Sequence, residues 1–469
     1  MAILSGLCAS APSGFWANII KSFETSTGSY ILAIILLTVI IRVIWGLVDT
    51  LTKYTQAKQT LVQSKMQPEL DRLQAKYEKQ PEVFAQKRNE VYQRYYGKGY
   101  YGSCIIMLVV MILNMIIFFT LFSSLNAFSS YKIINNYEGM KYDYANGVSV
   151  VKEYFGDNFD DEIKKANFAD YQNLEIVIGS KKVVEDSVEK DVKVVYLVKW
   201  TDKENDQKEI LAEKDYLTDF SYKKTVEGED GQTSETTVLS NNAILEIVNS
   251  IIPTYGEGEE YPSKEVVIKT ETSEENGEVK TTNLYLSQAV QSVVMGRVKE
   301  TYKQTKESFL WIDNIWIADS PMTKSIINYS SLKAQYGKKV EENEELVYNT
   351  FMNDLKATEN RVNGYFIVPA LIVLLSILSM NINKWHNARK LKKQGRPAPV
   401  NNAKWMQIIL PLILGMFAIF YNSVFAIYML VGQIVSTILL PLQLFVVEKI
   451  MEKKDKKSEP TVVDYARKF

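Results

Sequence analysis

Five stretches, residues 29–48, 102–125, 364–383, 405–421 and 424–447, are almost free of charged side chains. About 20 apolar residues carry a helix across a bilayer, and lipid leaves the backbone few alternatives to a helix. A chain with five such stretches among polar sequence is a multi-pass helical membrane protein. Overall charge hides this, because 54 basic residues balance 55 acidic ones. Read in blocks, the charge is informative. Residues 384–404 carry seven Lys or Arg and no acid, and a short basic loop of this kind stays in the cytoplasm. That places the amino terminus and residues 126–363 outside, and residues 49–101 and the carboxy-terminal tail, 448–469, inside. The 49–101 segment, with ten basic and six acidic residues, agrees. The outer segment holds 28 basic and 43 acidic residues, and long acidic domains cross membranes with little regard to charge.

Residues 1–28 contain Phe15, Ile19 and Phe23 at helical spacing beside Trp16 and Ile20. This amphipathic helix lies either on the outer membrane surface or against the outer domain. Residues 49–101 are rich in helix formers, with Leu70, Leu73 and Tyr77, then Phe84, Val91 and Tyr95, on helical faces. Pro81 suits the first turn of a second helix, so the segment reads as an antiparallel helical hairpin. Pro68 kinks or starts a helix there, since it lacks a backbone donor.

Arg42 is the single charge within the five apolar stretches, about 10 Å from the inner end of its span. A guanidinium facing lipid at that depth costs about 3 kcal/mol or more. Two readings stand. The side chain snorkels to the inner headgroups, or it faces a hydrated groove shared with polar groups of other spans. Asn114, Ser376, Gln433, Ser436 and Thr437 are the candidates for that groove, although small polar residues also hold helices together. No acid lies in any span, which argues against a proton relay and for a site that receives a polar or acidic segment transiently.

Other chemistry is poorly supported. Cys8 and Cys104 form no C-x-x-C pair, and His386 is the only histidine, set in a basic loop. No phosphate-cradling G-x-x-x-x-G-K-S/T and no D-x-D-x-D-G calcium loop occurs. The expectation is a protein that is not an enzyme, with no cofactor and no metal, and with no specific nucleic-acid recognition.

The order of parts is distinctive: "GSYILAIILLTVIIR", then "SKMQPELDRLQAKYEKQPE", then "YYGKGYYGSC", and later "SFLWIDNIWIADSP" and the last two apolar stretches. It resembles the YidC family of membrane protein insertases over roughly residues 16–152 and 308–449. The resemblance implies a five-helix bundle whose hydrophilic groove opens to the cytoplasm and to lipid. It gives Arg42 the role of attracting the hydrophilic part of an incoming chain. It makes the hairpin, with Lys65, Pro68 and Pro81, the receiver of substrates. Nascent membrane proteins and the bilayer are the implied partners, with the Sec translocon beside it and ribosomes touched through basic tails in some members. The implied location is the cell membrane.

Two features depart from the family pattern. "GKGYYGSC" lacks the proline and paired glycines common before the second span, and "IIMLVVMIL" follows where the family often has an early glutamine, so that helix starts differently and one groove wall is less polar. The outer segment also carries an additional domain at about residues 153–307, expected to be a mainly-β (α+β) domain, and a helical insert at about 324–360. In the former, "EENGE" suggests a hairpin turning at Asn276-Gly277 and "NNAILEIVNSII" a helix. A different reading follows from the inserts: a non-translocating adaptor, anchored by its spans, whose outer domain binds an outer partner.

Overall fold

The structure is a computed structural model. It describes residues 11–96, 99–156, 161–185, 188–227, 233–238, 240–252, 266–275, 278–337, 340–359, 361–393 and 405–458. In chain order the first helices are α1 (Phe15–Thr27), α2 (Tyr30–Lys76), α3 (Pro81–Tyr96), α4 (Gly99–Phe155) and α5 (Asp161–Phe168). Strands β1 (Leu174–Glu185), β2 (Val188–Asp202), β3 (Gln207–Asp215), β4 (Tyr222–Glu227) and β5 (Thr233–Val238) follow. Then come α6 (Ser240–Asn249), β6 (Val267–Glu275), β7 (Glu278–Tyr285), α7 (Leu286–Thr305), α8 (Tyr329–Tyr336) and α9 (Glu344–Thr358). The chain closes with α10 (Ile367–Lys393), α11 (Met406–Phe420) and α12 (Ser423–Ser458).

These elements form two compact units. The first holds Pro12–Phe128, Ile317–Pro321 and the chain from Gly364 onward. The second holds Ser129–Trp316 and Met322–Asn363. Among the described residues four helices are long and apolar enough to cross a membrane, within Tyr30–Val62, Leu108–Phe155, Ile367–Arg389 and Ser423–Lys453. The apolar helix Gln407–Phe420 is shorter. At 1.5 Å per residue α11 is only about 22 Å long, against a hydrocarbon core of about 30 Å.

In the first unit α2 does more than its apolar stretch suggests. It is one helix of 47 residues that runs through Pro68 to Lys76. Pro68 is solvent-exposed, so the carbonyl it leaves without a donor can be hydrated. Pro68 therefore starts no new helix. Pro81 is the first residue of α3, where its missing N–H costs nothing. α2 and α3 fold back on a small core of Met66, Leu70 and Val91 with Leu73 against it, and Arg94 bonds Glu69 at 2.9 Å.

In α1 Ala17 and Ile20 are buried, Ile19 and Phe23 are half-buried, and Phe15 is exposed. α1 packs on α2, and the Trp16 indole donates to Thr120 Oγ1 at 2.9 Å.

The second unit is built around the second half of α4, which continues beyond the apolar stretch 102–125 to Phe155, and almost every side chain from Tyr137 to Val151 is buried. Its 57 residues exceed what any bilayer needs, and Glu138, Lys141 and Asp143 lie in its second half. Lys141 is paired with Glu138 at 3.1 Å and Glu344 at 3.4 Å, and Tyr137 donates to Glu344 at 2.6 Å. Asp143 accepts from Tyr216 and Arg297. Buried charges demand such pairing. α7 packs along α4 where Gly147 leaves room: a Cβ there would lie 2.9 Å from Val294.

The strands are arranged as an antiparallel sheet β1-β2-β3 and two separate pairs, β4-β5 and β6-β7. Residues 153–307 hold all seven of these strands beside α5, α6 and α7, while the buried core they cover is helical, built on the second half of α4. Alternating β-branched runs marked the strands correctly, but the buried stretch of α4 had no such plain signature. Glu275 pairs with Glu278 as the β6-β7 hairpin requires. The Asn276-Gly277 turn itself, like residues 394–404 of the basic loop, lies outside the described residues.

Candidate functional site

Within the first unit α2, α4, α11 and α12 line a half-open cavity of about 610 Å³. α2 supplies Ile41, Arg42 and Trp45, one face of the helix by spacing. α4 supplies Asn114, Phe118 and Phe122 among others, α11 Leu410 to Phe417, and the start of α12 Phe425 and Tyr428. Most of the wall is apolar and much of it aromatic. Phe122 meets Tyr421 and Phe425 edge-to-face at centroid distances of 4.6 and 4.7 Å.

Arg42 is half-buried in this wall. Its guanidinium carbon lies 5.9 Å from the centre of the Tyr428 ring, within reach of a cation–π attraction. Its Nε is buried without a hydrogen-bond partner among the described residues, and so is the Trp45 indole nitrogen.

The other sequence candidates divide. Asn114 lines the cavity with Arg42. Ser376, Gln433, Ser436 and Thr437 do not line it. Ser376 is buried on α10. Ser379 and Thr437 share a hydrogen bond of 2.7 Å between α10 and α12, and Thr437 donates to the Gln433 carbonyl at 2.7 Å. Gln433 and Ser436 are half-buried on α12. Gln443 donates to the Gly46 carbonyl at 3.1 Å, tying α12 to α2. In the hairpin Lys65 lies within α2, with its side chain outside the described residues, and Pro68 and Pro81 sit as given above.

Sequence reasoning overlooked the aromatic wall and Gly432, whose site on α12 touches Arg42. A glycine in the middle of an apolar span was the available signal.

Residues 22–179 match the family model described as 60Kd inner membrane protein. That stretch, about a third of the chain, carries the YidC-family signature. The matched residues take in α2, α3 and α4, and with them Arg42, Asn114 and the hairpin. No curated protein and no solved structure gave a match. YidC-family proteins are membrane protein insertases, and this one is a multi-pass membrane protein built mostly of helices with a small β region.

Proposed function

We propose that this YidC-family protein inserts nascent membrane proteins through the cavity between α2, α4, α11 and α12. Arg42 attracts an acidic or polar segment of the incoming chain, and the aromatic wall accommodates its apolar flank. Such contacts are weak and indifferent to sequence, which suits many substrates. In this reading α11 is a fifth, thin span, residues 384–404 face the cytoplasm, and the second unit lies outside the cell membrane. The α2–α3 hairpin receives substrate on the cytoplasmic side, the basic loop and tail meet ribosomes, and the Sec translocon is a neighbour.

The observation that carries the proposal is the half-buried Arg42 in the wall of a cavity large enough for side chains. The test is insertion of a single-span protein into liposomes holding only this chain. Arg42→Ala should slow insertion roughly fivefold, the equivalent of about 1 kcal/mol. Arg42→Lys should slow it much less, because charge rather than forked geometry is invoked. Equal loss in both variants would refute the electrostatic role. Absence of insertion by the intact chain, even beside the translocon, would favour the adaptor reading.

A further inference from the structure

Glycine is costly in the middle of a helix, and α12 carries one at Gly432. What occupies the space of its missing side chain is Arg42. A Cβ at Gly432 would stand 2.7 Å from Arg42 Nε, 2.9 Å from Nη2 and 3.1 Å from Cζ. The Nε–Nη2 edge of the guanidinium therefore lies against the backbone of α12, where Nε is buried. Tyr428, one turn earlier on α12, presents its ring to the same group. A second close approach joins the same two helices: a Cβ at Gly46 would meet Leu439 Cδ1 at 3.3 Å and Gln443 Nε2 at 3.4 Å. That contact involves no charge.

We propose that Gly432 is a positioning residue for Arg42: its bare backbone, with the Tyr428 ring, forms a seat that holds the guanidinium in the cavity wall. The long arginine side chain could otherwise swing toward the headgroups. Seated, it keeps its charge in the cavity. The inference rests on the role proposed for Arg42 in insertion, but the seat can be measured apart from it.

The experiment uses the full chain in liposomes with Cys8 and Cys104 replaced by Ser and a single thiol at Asn114→Cys, on the cavity wall. The thiol is treated with sulfonatoethyl and trimethylammonioethyl thiosulfonates, anionic and cationic reagents of similar size. The ratio of their rates reports the local charge. A seated Arg42 should favour the anionic reagent, and Arg42→Ala should abolish the preference. Gly432→Ala should reduce it at least about threefold, since a potential change of that size follows from moving one charge by a few ångströms. In an Arg42→Lys background Gly432→Ala should change nothing further, because lysine has no planar fork to collide with the new methyl. Gly46→Ala, which presses the same helices apart elsewhere, should leave the ratio unaltered.

No effect of Gly432→Ala would overturn the seat. So would an equal effect with arginine and with the Arg42→Lys substitution, or an equal effect of Gly46→Ala, because each would mark simple helix separation. Insertion is followed in parallel. If Gly432→Ala shifts the charge ratio but neither it nor Arg42→Ala alters insertion, the seat stands and the role of Arg42 in insertion fails.

Discussion

Asp319 is fully buried, and neither of its carboxylate oxygens has a hydrogen-bond partner within bonding geometry among the described residues. It fits because Gly364, at φ +70°, has no side chain: a Cβ there would lie 1.1 Å from Asp319 Oδ1. The neighbouring Ile317 carbonyl accepts from Ser423 N and Oγ, both at 2.8 Å, which fixes the segment to the turn before α12. Burial pushes the Asp319 carboxyl up from 3.8 to about 6, and the Val368 N–H at the start of α10 pulls weakly the other way. The folded protein thus holds this proton to higher pH than the unfolded chain does. Stability attributable to Asp319 should fall as pH rises from about 4 to about 6 and stay low above that. Asp319→Asn should remove the loss. In melting experiments in detergent it should raise Tm at pH 7.5, by the equivalent of up to about 3 kcal/mol, and leave Tm nearly unchanged at pH 4. A variant whose Tm gain is no larger at pH 7.5 than at pH 4 would show that the carboxylate is compensated. The same residue-scale logic explains Arg42. Its meaning comes from what it faces, and Gly432 and Tyr428 are remote in sequence.

At the scale of elements the hairpin has a small core. Among the described residues Met66, Leu70 and Val91, with Leu73 against them, hold α2 to α3, supported by the exposed Arg94–Glu69 pair. Exposed pairs contribute less than about 1 kcal/mol, so the apolar contacts dominate. Val91 is 2% exposed, and Val91→Asp would place a carboxylate among them. The expected cost of about 3 kcal/mol exceeds what so small a core supplies. α3 should then separate from α2, and limited proteolysis should cut at Lys87 or Arg88 many times faster than in the intact protein. Unchanged cleavage would mean that the two limbs are held by something other than this core. The hairpin was legible beforehand because Leu70, Leu73 and Tyr77, then Phe84, Val91 and Tyr95, recur at helical spacing on either side of Pro81, which marks a start. The continuity of α2 through Pro68 was not, since a proline's local penalty depends on whether the freed carbonyl meets water.

At the scale of the molecule the second unit has its own core, and the second half of α4 runs through it. Deleting residues 153–307, the domain suggested by composition, would strip α7 from α4 and with it Gln291 from Tyr144, Arg297 and Thr301 from the buried Asp143, and Val294 from Gly147. Such a variant should accumulate poorly and aggregate. Deleting the whole unit, 129–316 and 322–363, with short Gly/Ser joints should leave a soundly folded first unit. Under the insertase proposal that variant should retain insertion to within about a factor of two, since 1 kcal/mol is already fivefold. Loss of all insertion with normal accumulation would move the function toward the second unit.

The sequence alone determined that this chain crosses a membrane several times, that a helical hairpin follows the first span, and that one arginine stands apart in an apolar helix. Each of these is a local property: apolar length, helical period, the chemistry of proline, the cost of a charge in lipid. It also made the family recognisable, because the ordered motifs run along the chain. Only the tertiary structure decided which polar residues share a cavity, since Asn114 reaches it and Ser376, Gln433, Ser436 and Thr437 do not. It alone showed α4 as the centre of the second unit, where Lys141 is made tolerable by Glu138 and by Glu344, 203 residues away in the chain. A buried charge reads as a surface charge until its partner is known, and the partner is chosen by packing in space.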